Sequence, residues 1–304
     1  MKRDWEVTAL IHYHSRGDWG WLERYHHKPP SNLKVVLGDI TDPFWVLEAV
    51  AGCEIVFHLA ALIAIPYSYH APASYVQTNV AGTLNLAEAA RRAGVGRFVH
   101  TSTSEVYGSA RYTPLDEEHP LQGQSPYSAS KIGADKMIES FVSSFGLPAV
   151  TVRPFNTYGP RQSARAVIPS IISQALHGNV VRLGSLDTIR DLTYVADTVD
   201  GFIRAAEVDE VVGQTINLGT GQAVSIRELT QVIFDLLAVS PDIITDPQRI
   251  RPAASEVSHL VSNNHKAKKL LGWEPVVSLK AGLSQTIEWM WHHSELYRPE
   301  EYAL

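Results

Sequence analysis

Tyr127 and Lys131, in the run Tyr127-Ser128-Ala129-Ser130-Lys131, stand four residues apart just inside a helix that follows Pro126. Residues at that spacing share one helical face, so the ammonium of Lys131 can sit near the phenol of Tyr127. A free tyrosine titrates at about 10, whereas a base working at neutral pH should titrate at about 7. A fixed positive neighbour, joined by the positive charge of a bound ring, favours the phenolate, and a shift of about three units amounts to roughly 4 kcal/mol of differential stabilisation. Taken alone, the pair would also suit an ordinary amphipathic helix. It does not stand alone. Upstream lies Thr101-Ser102-Thr103-Ser104-Glu105-Val106-Tyr107-Gly108, at the end of an apolar strand. Hydroxyls and a carboxylate at the C-terminal end of a parallel strand stand where open α/β sheets bind ligands, although Ser and Thr there also suit a polar turn. Together the two clusters offer a phenol that takes a proton, hydroxyls that hold an oxygen, and a second base in Glu105.

The elements that must position these groups are short apolar runs alternating with helical periodicity. Strands are expected at Glu6–Tyr13, Leu33–Leu37, Glu54–Leu59, Arg97–Thr101 and Ala149–Arg153. Helices are expected from Asp42-Pro43 to near Gly52, from Ser74 to Ala93, and from Tyr127 to Phe145. Asp42 can accept free N–H groups of a first turn, Pro43 has none to lose, and Gly94 and Gly146 end the longer helices. Such alternation predicts a doubly wound parallel sheet covered on both faces. Beyond Pro160 the pattern loosens into helices near Ile168–Leu176, Ile226–Leu237 and Lys266–Leu271, with strands at Val180–Leu183 and Thr215–Leu218. The expected division is a dinucleotide-binding domain over residues 1–160 and mainly a substrate-binding lobe over 161–304, some of whose segments return to the sheet.

Composition limits the function. The 304 residues are 45% hydrophobic and 19% charged, enough for a sizeable core, and the formal charge of -6 argues against nucleic acid as a partner. Cys53 is the one cysteine, so a reducing, cytoplasmic compartment is expected. No run approaches the roughly 20 apolar residues of a bilayer span, and no membrane partner is expected.

The chain resembles the extended short-chain dehydrogenases/reductases of the epimerase/dehydratase type that act on nucleotide sugars. The resemblance runs over essentially the whole chain. It is carried by Gly38-Asp39-Ile40, His58-Leu59-Ala60-Ala61, Asn79, the TSTSEVYG strand end, Tyr127/Lys131, RPFNTYGP from Arg153, Arg190-Asp191, Asn217-Leu218-Gly219 and Arg251-Pro252. It implies a Rossmann-type fold, a nicotinamide cofactor and a nucleotide-sugar substrate. It places Asp39 and Ile40 on the adenine, Leu59, Ala60 and Ala61 behind the cofactor, and Asn79, Thr101 and Pro154 among the cofactor contacts. Lys131 would hold the nicotinamide ribose while Tyr127 takes the proton of the sugar 4-hydroxyl and Thr103 bonds the same oxygen. Ser104, Asn156, Arg190 and Arg251 would bind the substrate, the arginines through its diphosphate. No metal site is expected. The resemblance also implies a homodimer through the Ser74–Ala93 and Tyr127–Phe145 helices.

Glu105 separates the reactions open to that family. Once C4 is a ketone the C5 hydrogen is acidic, and a carboxylate beside it can remove it. Loss of the C6 hydroxyl and return of hydride to C6 would then give a 4-keto-6-deoxy sugar, the outcome of a 4,6-dehydratase. Ser-Glu after the threonine resembles the GDP-mannose type, and the run from Ala64 to Pro72 with LQGQSPYSASKIGAD resembles the N-acetylhexosamine 4,6-dehydratases of the legionaminic-acid pathway. A UDP-glucuronate-type oxidative decarboxylase, a 4-epimerase and a non-enzymatic nucleotide-binding regulator are the alternatives.

Two departures stand out. The family opens with a strand, a GxxGxxG turn and a helix ahead of the Glu6–Tyr13 strand, and about 25 residues of that kind are missing here. The neighbouring strand edges should then be unpaired or forced together, with poor cofactor binding and low stability as the expected result. Second, no acid follows the first strand, where His12, His14 and Arg16 stand instead; NAD is the expected cofactor, with NADP left open. Among features not assigned to chemistry, Trp19, Trp21 and Tyr25 are expected to pack against the sheet edge. The acidic run Asp116-Glu117-Glu118 is expected to be a solvated loop.

Overall fold

The structure, a computed structural model, describes residues 4–299. Five strands of the first half fall on the expected apolar runs: β1 (Val7–His12), β2 (Leu33–Gly38), β3 (Ile55–His58), β4 (Arg97–Thr101) and β5 (Ala149–Pro154). All their pairings are parallel, and Thr215–Leu218 returns from the second half to pair with β5. This is a Rossmann-type α/β fold.

The sheet comes in two pieces. β3, β4, β5 and Thr215–Leu218 form one, and β1 and β2 form the other. Among the described residues β1 pairs only with β2 and β3 only with β4, so the facing edges are unpaired, the first of the two expected outcomes. The pieces meet through side chains. Trp5 stacks at 6.2 Å on Phe57 of β3, and Leu10 of β1 packs against the core formed by Val46, Val50, Leu86 and Phe98.

Local chemistry explains the helices. Asp42 accepts from the N–H groups of Phe44 and Trp45 and starts the helix Pro43–Val50. Ser125 and Ser128 form a reciprocal cap on Pro126–Phe145, and Gly146 closes that helix in the left-handed conformation. The single helix expected over Ser74–Ala93 is instead Pro72–Tyr75, a π-type turn Val76–Ala81, and Gly82–Ala93. Asn79 sits in the wide turn and spends its side chain outside it, accepting from the N–H of Leu62 and donating to the Leu62 carbonyl and Ser130 Oγ. Wide turns of this kind gather at functional sites.

The second half has its own core around Ile171, Ile172, Leu229, Ile233 and Leu283. Helices at Val167–His177, Ile226–Leu237 and His265–Leu271 match the expected ones. Val195–Glu207 and Leu279–Trp291 were not foreseen. Trp21 does not pack on the sheet edge: its ring lies 5.5 Å from Trp289 of the last long helix, and Trp19 packs edge-on against His26. Nor is the acidic run wholly solvated, since Glu117 is largely buried and accepts from the N–H of Asn217 at 2.7 Å. Among the described residues no helix is long and apolar enough to cross a membrane.

Candidate active site

β4 ends at Thr101, and the chain then turns through a short 3-10 helix, Ser104–Tyr107. Thr103 caps that turn, its Oγ1 accepting from the N–H of Glu105 at 3.3 Å. Gly108 completes it at φ 63, and a Cβ there would lie 2.8 Å from the Gln122 carbonyl, so only glycine fits. The turn presents Thr103 and Glu105 to Tyr127 on the neighbouring helix. The Thr103 hydroxyl and the charge of Glu105 both act on that phenol. Lys131, one helical turn on, donates to the Thr101 carbonyl at 2.6 Å. The four residues expected to do chemistry therefore share one site.

Their electrostatics are dominated by burial. The Tyr127 phenol is raised above its ordinary value, first by burial and then by Glu105, Asp135 and Tyr75, with only the Thr103 bond opposing. Lys131 does not acidify it here. The lysine itself is brought down to about 8 by burial, against the pull of Asp135. Burial disfavours both charged forms, so acidification of Tyr127 needs a positive charge beyond that of Lys131.

Tyr75, which the sequence did not single out, is fully buried and meets Tyr127 edge-on at 6.2 Å. Tyr67 lies 6.3 Å from Tyr75, and Tyr69 Oη bonds Ser255 Oγ at 2.6 Å, so an aromatic wall stands beside the Tyr127 phenol. On the far side of Glu105, Arg251 Nη1 lies 4.0 Å from Glu105 Oε1 and 3.8 Å from Glu256 Oε1. Arg190 Nη2 reaches the same Glu256 oxygen at 3.3 Å. Arg251 Nη1 and Asn156 Oδ1 are both buried without a hydrogen-bond partner. Asn156 begins the strand that pairs with Leu192, two residues after Arg190. Arg190 and Arg251 thus meet at Glu256 beside Glu105, Asn156 lies on a strand paired two residues beyond Arg190, and Ser104 is buried.

The residues expected on the cofactor are more dispersed. Asp39 Oδ1 accepts from the N–H and hydroxyl of Thr41, and its other oxygen lies 3.6 Å from His12 Nε2. Ile40 is buried against Gly82. Leu59 is 64% exposed, with Ala60 and Ala61 partly buried behind it. Asn79 has its side chain fully engaged with Leu62 and Ser130, so it braces the loop after β3. Thr101 Oγ1 is buried and unpartnered beside Lys131, and Pro154 closes β5. His14 and Arg16 both face Asp18, at 3.4 and 3.5 Å.

The profile of the family described as GDP-mannose 4,6 dehydratase matches residues 1–286. The chain is 36% identical to a UDP-glucose 4-epimerase of Mycolicibacterium smegmatis, over 91% of this chain and 89% of that protein. It is 34% identical to a dTDP-glucose 4,6-dehydratase of Streptomyces antibioticus, over 84% and 75%. A double mutant of DesIV, the dTDP-glucose 4,6-dehydratase of Streptomyces venezuelae, solved with NAD and DAU bound, superposes with a TM-score of 0.86. It has 29% identity over 95% of this chain and 88% of that one.

Proposed function

This chain belongs to the GDP-mannose 4,6 dehydratase family, and from that premise we propose that it is an NAD-dependent nucleotide-sugar 4,6-dehydratase. The observation that carries the reading is the partly enclosed carboxylate of Glu105, 12% exposed and acting on the Tyr127 phenol across Thr103. A 4-epimerase needs no base at C5. A dehydratase does.

Bound NAD supplies a hydride acceptor for C4 and a hydride donor for C6. The residues present suit its nicotinamide half: Thr101 Oγ1 is an unspent buried hydroxyl, and the Lys131 ammonium has donors beyond the one given to the Thr101 carbonyl. The positive nicotinamide ring is also the further charge that Tyr127 requires. Tyr127 then takes the proton of the sugar 4-hydroxyl while Thr103 holds that oxygen. With C4 a ketone, Glu105 removes the C5 proton and gives a proton to the departing C6 hydroxyl, which leaves as water. Tyr127 would give up its proton and C5 would gain one as hydride returns to C6, leaving C4 a ketone. Arg190 and Arg251 bind the substrate diphosphate, and Asn156 helps to place it. Asp39 and Ile40 would contact the adenine, and Leu59, Ala60 and Ala61 would back the cofactor.

A 4-epimerase is the second reading, favoured by the epimerase relative at 36% identity. The proposal extends to an N-acetylhexosamine as the sugar and to a homodimer through Gly82–Ala93 and Pro126–Phe145. Mass spectrometry of products from GDP-mannose, dTDP-glucose and UDP-N-acetylglucosamine separates the readings. A product lighter by one water supports dehydration, and unchanged mass supports epimerisation. Glu105→Gln should lower dehydration about a thousandfold while nucleotide-sugar binding persists. Turnover unaffected by that change would refute the C5-base assignment.

A further inference from the structure

Beneath the site lies a buried polar cluster that the proposed reaction does not use. Asp135 is 5% exposed and stands one helical turn beyond Lys131 and two beyond Tyr127, on the same face. Its carboxylate accepts from Ser102 Oγ at 2.7 Å, His100 Nε2 at 3.0 Å, and Arg153 Nη2 and Nε at 3.0 and 3.4 Å. His100 and Ser102 flank Thr101 on β4, and the Thr101 carbonyl is the acceptor for Lys131 Nζ. Helix and strand are therefore tied at consecutive points, Lys131 to residue 101 and Asp135 to residues 100 and 102. Thr103 and Glu105 follow that tie directly in the chain.

We propose that Asp135 is a positioning residue that fixes the register of the Tyr127/Lys131 helix against the end of β4 and supplies the negative charge that keeps Lys131 a cation. The inference rests on the acid–base reading of Tyr127 and Lys131 given above. A slide of the helix by even a fraction of a turn would carry Tyr127 away from Thr103, and hydrogen bonds to three side chains on two strands forbid it. A hydrophobic residue could fill the same volume without that specificity.

The charge argument follows from the neighbours. Lys131 and Arg153 are both almost fully buried cations. The groups facing them are His58 on β3, His100 on β4, Tyr107 beyond Arg153, Tyr127 on the same helix and Glu105 at the mouth of the site. His58 and His100 are held neutral by burial. Tyr107 is pushed up to about 12 by burial and stays neutral too. Asp135 is the one charge that raises Lys131 against its burial. Remove that charge and the lysine loses its proton at a lower pH.

The test measures turnover and cofactor reduction against pH for the full chain with NAD and the three nucleotide sugars named above. Asp135→Asn keeps the shape and removes the charge. Its alkaline limit of kcat should fall by about one pH unit, giving about a tenfold loss above that limit and little change below it, with KM nearly constant. Asp135→Glu keeps the charge and disturbs the register, so kcat should fall at every pH with the profile in place. Ser102→Ala removes one tie and should act as the glutamate variant does, more weakly. An unshifted profile in Asp135→Asn would overturn the inference. So would a shifted one in Ser102→Ala, which remains decisive even where the Asp135 variants do not fold. Tyr127→Phe guards the premise: if it still reduces cofactor on sugar addition, the acid–base reading itself has failed.

Discussion

β4 and β5 bury every residue except their last, whereas β1 and β2 leave every residue but Gly38 at least partly exposed. The difference tracks strand pairing. β4 has a hydrogen-bonded neighbour on both sides, and β5 likewise, while β1 and β2 have only each other. A parallel sheet is stable when both faces are covered and both edges are paired. The proposed chemistry sits at the ends of β4 and β5 and on the helix packed across them, where hydrogen bonds and core contacts over-determine each position. The groups read as holding the adenine end, Asp39 and Ile40, follow β2. Positioning of the reacting atoms and grip on the far end of the cofactor are therefore built on regions of unequal rigidity.

Removing core volume from each region gives the sharpest contrast. Phe98 on β4 is fully buried among Val46, Leu86, Ala90 and Ile138. Phe98→Ala should destabilise the protein by about 3–5 kcal/mol. Leu10→Ala, in the partly exposed β1, should cost about 1 kcal/mol. Urea unfolding followed by circular dichroism gives both numbers. Equal losses would mean that the two sheet pieces unfold as one equally packed unit.

Acid should act on the same half. His58 on β3 and His100 on β4 are 3% and 0% exposed, and each has an unpartnered Nδ1. Burial lowers both below the ordinary value of 6.5, helped for His58 by the charge facing it from Lys131, and opposed for His100 by its bond to Asp135. The unfolded chain therefore binds more protons than the folded one below pH 6.5. The stability these histidines contribute is fully present above 6.5. It is lost as pH falls beneath that value toward the folded values, at up to about 1.4 kcal/mol per pH unit for each. Asp135 acts in a separate window. Burial raises its carboxyl, but the hydrogen bond from His100 and the charges of Arg153 and Lys131 bring it down to about 2, so its contribution persists until pH drops below 3.8. Urea midpoints at pH 7 and pH 5.5 should differ, and His58→Gln should reduce that difference by about half. A midpoint independent of pH over that range would show that the buried cluster takes up no protons on unfolding.

The same contrast explains what could be read from the residues. Strands β1 to β5 announce themselves as apolar runs, and the Pro126–Phe145 helix is marked at both ends by local signals, Ser125-Pro126 and Gly146. Tyr127, Lys131, Thr103 and Glu105 were legible because each pair is close in sequence on one element. Asp135 and His100 were not, being 35 residues apart and joined only when helix and strand pack. The upward push on the Tyr127 phenol was not legible for a related reason: helical spacing reveals the neighbour but not the burial, and burial dominates. The π-type turn at Val76–Ala81 escaped because its cause, the bonding of Asn79 to Leu62, is a tertiary contact overriding a good helical pattern. Glu117 looked like one of three solvated acids, and only the approach of Asn217 singles it out.

The smallest expected effect tests how the weaker region is held. Trp21 lies between β1 and β2 in a short 3-10 turn, 52% exposed, with its ring edge-on to Trp289. Trp289 in turn stacks on His293 at 4.3 Å, with Arg161 over its other side at 5.9 Å. Because no described strand pairs β1 to β3, this aromatic contact and the Trp5–Phe57 stack are side-chain ties standing where backbone bonds are lacking. An aromatic pair of this geometry contributes about 1 kcal/mol. Trp21→Ala should therefore lower global stability by about that amount at most. It should also speed hydrogen exchange of the β1 and β2 amides while leaving β4 and β5 unchanged, since local opening draws only on contacts within the unit that opens. Exchange accelerating equally in all strands would mean that the turn braces the whole sheet, and the distinction between a well-packed piece around β4 and β5 and a looser one at β1 and β2 would have to be given up.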